Sequence, residues 1–177
     1  MLSNLFWVIL FGGIPVLISY YVLMQEEQVS KLWAGLQGTM YYVWFTSMCL
    51  TVLSYAYMFY VFVWAPEDAM IFSWSIADTE PFLCACYTLF LGSASQYAYI
   101  AITDVRNRER SLLLVANLWL TALMSLLIGS CAISLNRVSD TTNILSIVAG
   151  LIFTIHHVVF DAIFWQQSFK PKYNQIV

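Results

Sequence analysis

Apolar side chains run almost unbroken through five stretches of the chain, at about 5–24, 39–64, 81–103, 112–135 and 143–166. Each is long enough to cross a bilayer as an α-helix, which takes roughly 20 such residues. Polar clusters separate them. Gln25-Glu26-Glu27-Gln28 closes the first stretch and Pro66-Glu67-Asp68 the second. Asp78-Thr79-Glu80-Pro81 reads as the start of the third, with a capping residue, early acids and a proline in the first turn. Asp104-Val105-Arg106-Asn107-Arg108-Glu109-Arg110 joins the third to the fourth, and Asn136-Arg137-Val138-Ser139-Asp140 joins the fourth to the fifth. The pattern predicts an all-α, polytopic integral membrane protein. Its five transmembrane helices form one compact bundle, and residues 1–177 make a single transmembrane domain. Because the connections are short, successive helices are expected to pack as antiparallel neighbours. The first stretch has no basic flank and no small-x-small cleavage site after it, so it is expected to be a retained helix.

Charge placement adds an orientation. With five spans the loops alternate between two sides. Lys31, Arg106, Arg108, Arg110, Lys170 and Lys172 fall on one side, and only Arg137 on the other. Inner loops carry the excess of Lys and Arg, so the N-terminus is expected outside and the C-terminus inside. The loop from Pro66 to Glu80 is then external, with Glu67, Asp68, Asp78 and Glu80 and no base. The acids at the outer mouth read as solvated cap residues. Trp7, Trp33, Trp64, Trp74 and Trp165 stand near span ends and read as interfacial anchors.

Composition agrees with lipid as the main solvent. Charged residues make up 10% of the chain and hydrophobic ones 61%, with a mean hydropathy of +0.76. A net charge of −3 and no basic stripe leave nothing to neutralise phosphates, so no nucleic-acid partner is expected. Cys49, Cys84, Cys86 and Cys131 lie in apolar runs, where cysteine acts as a small hydrophobe and no disulfide framework is expected.

Inside the spans, small or polar residues recur at a four-residue step, which keeps them on one helical face. They are Cys84, Thr88, Gly92 and Gln96 in the third helix, and Asn117, Thr121, Ser125 and Gly129 in the fourth. In the fifth they are Ser146, Gly150 and Thr154, continuing through His157 to Asp161. The second carries a looser stripe of Ser47, Thr51, Ser54 and Tyr55. Such faces serve as packing glue between helices in lipid. One feature goes further. At about 1.5 Å per residue, Gln96 lies roughly 12 Å from Asp104, Asn117 about 10 Å from Arg110 and Asp161 about 13 Å from Lys170. Gln96, Asn117, His157 and Asp161 are therefore expected to converge in the inner half as one polar cluster. Carboxylates inside a membrane are costly and mark a partner or a pathway. His157, four residues before Asp161, is the expected partner, and Arg106, Arg108 or Arg110 of the inner basic loop could also reach it. His156 points about 100° away on an α-helix and is not expected to share the site.

Other chemistries find no residues. Two adjacent histidines and no ligand spacing give no metal or haem site. No phosphate loop or nucleophile elbow is present, no potassium filter, and no lysine within a span. No cofactor is expected, and bound lipid is. The expected function is a non-catalytic subunit that scaffolds or stabilises a larger membrane assembly with other membrane subunits. The alternative is a small homo-oligomeric channel or proton-coupled transporter using the inner polar cluster, and the third is a lipid-modifying enzyme with His157 and Asp161 as its acid–base pair.

Overall fold

The computed structural model describes residues 3–26, 38–66 and 68–169. Lys31, Trp33, Glu67, Lys170 and Lys172 lie outside the described residues. Among the described residues five helices make the bundle: α1 (Asn4–Gln25), α2 (Thr39–Trp64), α3 (Ile76–Asn107), α4 (Leu112–Ile133) and α5 (Asp140–Ile155). The fifth continues through a π-helix (His156–Trp165) into one further α-turn (Gln166–Ser168). Four runs are long and apolar enough to cross a membrane: α1, α2, α4 and the whole of Asp140–Ser168. The protein is thus a helical membrane bundle. α3 is longer but more polar, and it packs between α1 and α4.

Serine hydroxyls start most of the helices, because the first N–H groups of a helix lack partners within it. Ser3 caps α1 through the Phe6 N–H (3.3 Å), Ser75 caps α3 through Asp78 (3.1 Å), Ser111 caps α4 through Leu114 (3.1 Å) and Ser139 caps α5 through Thr142 (3.2 Å). α3 therefore begins at Ile76, before the Asp78–Pro81 signal, and Pro81 lies inside it. Asp78 bonds the Ser75 hydroxyl (2.6 Å), while Glu80 accepts the Leu5 N–H (3.1 Å) and so ties α3 to the start of α1.

The two loops at this end of the bundle meet in a small sheet that the hydrophobic pattern does not announce. β1 (Met70–Ile71) pairs antiparallel with β2 (Trp74–Ser75) on one side and with β3 (Leu135–Asn136) on the other. Ile71 and Leu135 are buried beneath it, while Phe72 and Trp74 stand out at its tip. At the opposite end, buried Asp104 accepts bonds from the Ser111 N–H (2.8 Å) and hydroxyl (3.1 Å), and Arg108 turns the chain in the left-handed region at φ 56°. That turn sets α4 antiparallel to α3.

The helices do not all pack in chain order. α1 packs on α3, α3 on α4, α4 on α5, and α5 on α2, while α1 and α2 scarcely touch. The expectation that successive helices are neighbours fails at both connections of α2, because the tightest seams form where small residues allow approach. The α4 and α5 stripes meet face to face. A Cβ added at Gly150 would stand 2.6 Å from the Gly129 carbonyl oxygen, and one at Gly129 would stand 2.8 Å from the Gly150 carbonyl and collide with the Thr154 hydroxyl. Thr154 bonds the Ser125 carbonyl across the same seam (3.3 Å).

This seam generates a prediction. Gly150→Ala should cost about 1–3 kcal/mol, since backbone opposes the new methyl and cannot yield as a side chain would. A Cβ at Gly92 meets nothing within 4 Å, so Gly92→Ala should be neutral or stabilising by up to about 1 kcal/mol. Thermal unfolding in nanodiscs, with the melting point lowered only in the first variant, checks both.

Candidate functional site

All five helices contribute to one cavity of about 50 Å³. It lies in the half of the bundle nearer the α3–α4 turn. α1 supplies Tyr20 and Leu23 from its last turns, and α2 supplies Trp44 and Met48 from its first. Ala94 and Tyr97 come from α3, Leu118 and Thr121 from α4, and His156, His157, Asp161 and Trp165 from the π-helix. One water needs about 10–15 Å³ on this scale, so a few waters or one small polar group fit. Among the described residues that line the space, Asp161 is the one formally charged side chain.

The π-helix decides which histidine meets the acid. In an α-helix, residues four apart share a face, which favours His157. A π-helix bonds i to i+5, so each residue sits over the one five earlier. His156 is therefore the partner of Asp161, with Nε2 3.5 Å from Oδ2. The expected His157–Asp161 pair is replaced, and the exclusion of His156 from the site is overturned for the same geometric reason. The His156 ring is held from its other nitrogen, Nδ1, by the Ser47 hydroxyl (3.0 Å). The indole of Trp44 sits against the Asp161 carboxyl group and packs on the His156 ring. The Asp161 side chain keeps 23% of its surface, against 4% for His156. The acid is thus the accessible member of the pair.

His157 lines the same cavity with a different job. Its Nδ1 stands 2.9 Å from the Phe153 carbonyl, and its ring meets Phe90 and Phe153 edge-on. Asn117 is buried but not in the cavity. It donates to the Ser93 carbonyl (3.0 Å), and Thr121 Oγ1, a turn on, lies 2.8 Å from the Ser93 hydroxyl. Gln96 is exposed, and so is Thr88 of the same stripe. The third helix turns a different face inward, with Phe90, Ser93 and Tyr97, so the four-member cluster does not form. Two of its members, His157 and Asp161, share the cavity.

The basic residues of the α3–α4 turn are engaged away from the acid. Arg106 pairs with Glu26 (2.7 Å), which ties the ends of α3 and α1, and Arg110 donates to the Gln166 carbonyl (2.8 Å), which holds the end of the fifth helix. Arg108 forms the left-handed cap of α3. Trp165, expected as an interfacial anchor, is 1% exposed. It stacks on Phe169 at 4.5 Å and meets Tyr97 edge-on at 5.3 Å, so it is a wall of the cavity. Trp7, Trp64 and Trp74 are exposed at the other end, as anchors would be.

Beyond the cavity, the bundle closes with rings. Phe90 and Phe153 are 5.1 Å apart, Tyr55 and Tyr87 5.9 Å, and Tyr55 and Phe153 6.2 Å. This layer draws on α2, α3 and α5 and separates the cavity from the sheet end.

Sequence reading missed His156, Ser47, Trp44, Tyr20 and Tyr97. Ser47 was visible as the start of the α2 stripe, and His156 was set aside by assuming α-helical spacing. No sequence signal marks the other three. Among the described residues, no three His, Cys, Asp or Glu side chains gather as a metal ligand set. Set against protein-family models, curated proteins and solved structures, the chain matches none of them.

Proposed function

We propose that this chain is a proton-coupled transport protein whose working group is the His156–Asp161 pair. The observation that carries the reading is an accessible carboxyl and a buried imidazole facing one small cavity built by all five described helices. An ionisable group at membrane depth is costly, and a protein that keeps one usually uses it. Carboxyl and imidazole can hand a proton between them, and the cavity admits the water that would deliver it.

The reading includes five spans with the N-terminus outside. α3 runs from the sheet end, where α2 finishes, to the turn where α4 starts, so it covers the same thickness as its neighbours. Its 32 residues extend about 48 Å, more than the roughly 30 Å of a hydrocarbon core. The pairing of β1 with β3 puts the second and fourth loops at one end, as five alternating spans require. Arg106, Arg108 and Arg110 then mark the inner end. A lipid-modifying enzyme would draw on the same pair, but its lipid would have to enter a space of a few waters.

A second reading, a non-catalytic subunit of a membrane assembly, is favoured by the ring layer. Tyr55, Tyr87, Phe90 and Phe153 pack ring to ring across the half nearer the sheet, which suits a packed scaffold better than an open channel through one monomer.

Three outcomes are expected. In vesicles holding a pH-sensitive dye, a potential-driven proton influx should run several-fold above protein-free vesicles. It should fall to the protein-free rate in Asp161→Asn and in His156→Gln, while His157→Gln keeps most of it and all three elute as folded protein. An Asp161→Asn variant that conducts like the parent sinks the transport reading. In a cysteine-free background, an impermeant maleimide should label Trp74→Cys in sealed native membranes and Arg108→Cys only after lysis. The reverse result inverts the topology. Extraction in mild detergent should give a particle of this chain alone, and a larger particle containing other chains would move the conclusion to the subunit reading.

A further inference from the structure

The ring layer has an unusual defect. Four hydroxyls are buried in or beside it with no hydrogen-bond partner among the described residues: those of Thr51, Tyr55, Tyr87 and Ser146. A buried polar atom without a partner is rare, and water commonly supplies the missing bond. Thr51 makes the contrast plain. Helical threonines in lipid bond the carbonyl one turn back, as Thr88, Thr103 and Thr121 do here. Thr51 does not.

The four are placed in order. On α2, Ser47 holds His156, and Thr51 and Tyr55 follow at the four-residue step, each one turn farther from the cavity. Tyr57 of α2 reaches the Thr142 carbonyl and Ser47 reaches His156, so the antiparallel α5 brings Ser146 to the depth of Tyr55. Tyr87 on α3 continues the row, its ring 5.9 Å from that of Tyr55. From Ser47 to Tyr55 the row climbs about 12 Å.

We infer that Thr51, Tyr55, Ser146 and Tyr87 bind a file of buried waters that carries protons through the ring layer to the His156–Asp161 pair. Hydroxyl and water each donate and accept, so a proton entering at one end releases another at the far end, and every oxygen returns to neutrality after the hydroxyls reorient. Rings packed this closely favour single waters over a hydrated ion, which makes the route selective for protons. The inference rests on the transport reading for its use, but the waters can be tested apart from it.

Two measurements on Tyr55→Phe and Thr51→Val do so. A dry, unpartnered hydroxyl is a pure cost, so its removal raises the melting point, whereas a hydroxyl bonded to water leaves it unchanged or lowers it. We expect no rise in either variant, and a loss of proton influx of at least several-fold, with Tyr60→Phe on the exposed face of α2 behaving as the parent. A raised melting point overturns the water file whatever the influx does. Parental influx in both variants overturns the route whatever the melting point does. If the unaltered protein moves no protons, the transport reading fails and the melting points alone decide whether the waters are there.

Discussion

The contact between Gly129 and Gly150 sets the geometry on which everything else depends. In lipid, apolar side chains gain nothing from leaving their surroundings, so helices associate through close packing and interhelical hydrogen bonds. Two glycines facing each other let the α4 and α5 backbones meet almost without side chains between them. With α5 fixed there, its continuation must pass between α4 and α2, and the π-helix brings His156, His157, Asp161 and Trp165 to the centre. The seam in the half nearer the sheet thus places the chemistry in the half nearer the α3–α4 turn, two to three turns farther along the same helix.

Much of the architecture could be read from sequence because hydropathy measures the medium directly. The second span was expected at 39–64 and α2 occupies Thr39–Trp64. The first, fourth and fifth are displaced by a few residues at most. The third differs at its start: Pro81 fits a first-turn position, but the Ser75 hydroxyl begins the helix earlier.

Facing was much harder to read. A helix that is apolar all round carries no strong amphipathic signal, so a stripe of small polar residues became the substitute. The substitute worked for α4 and α5, whose stripes are buried. It failed for α3, which has two stripes. The row through Thr88 and Gln96 looks outward, and Ser93 sits on the face that meets Asn117 and Thr121. Nothing in the structure accounts for an amide at Gln96 on an exposed face. Trp165 failed for a related reason: tryptophan suits an interface and a cavity wall equally, and only its stacking on Phe169 separates the two.

The histidines show where local reasoning stops. Both are present, adjacent, and near Asp161, and α-helical spacing assigns the pair to His157. A change of one residue per turn transfers it to His156 and gives His157 to the Phe153 carbonyl. No residue in the segment His156–Trp165 enforces that change by its own propensity. It comes from the surroundings, where Ser47 and Trp44 on α2 hold His156 from one side and Tyr97 and Phe169 hold Trp165 from another. π-Helical turns are rare, and they recur at functional sites because they spoil regular bonding to aim particular side chains. Here the irregular turn delivers two imidazoles and a carboxyl into one cavity, where a regular α-helix would have turned His156 away. The cost of the irregularity and the cost of a deep acid fall on the same ten residues. A helix needed only for packing would carry neither, so the two together argue that this segment is shaped by what the cavity does.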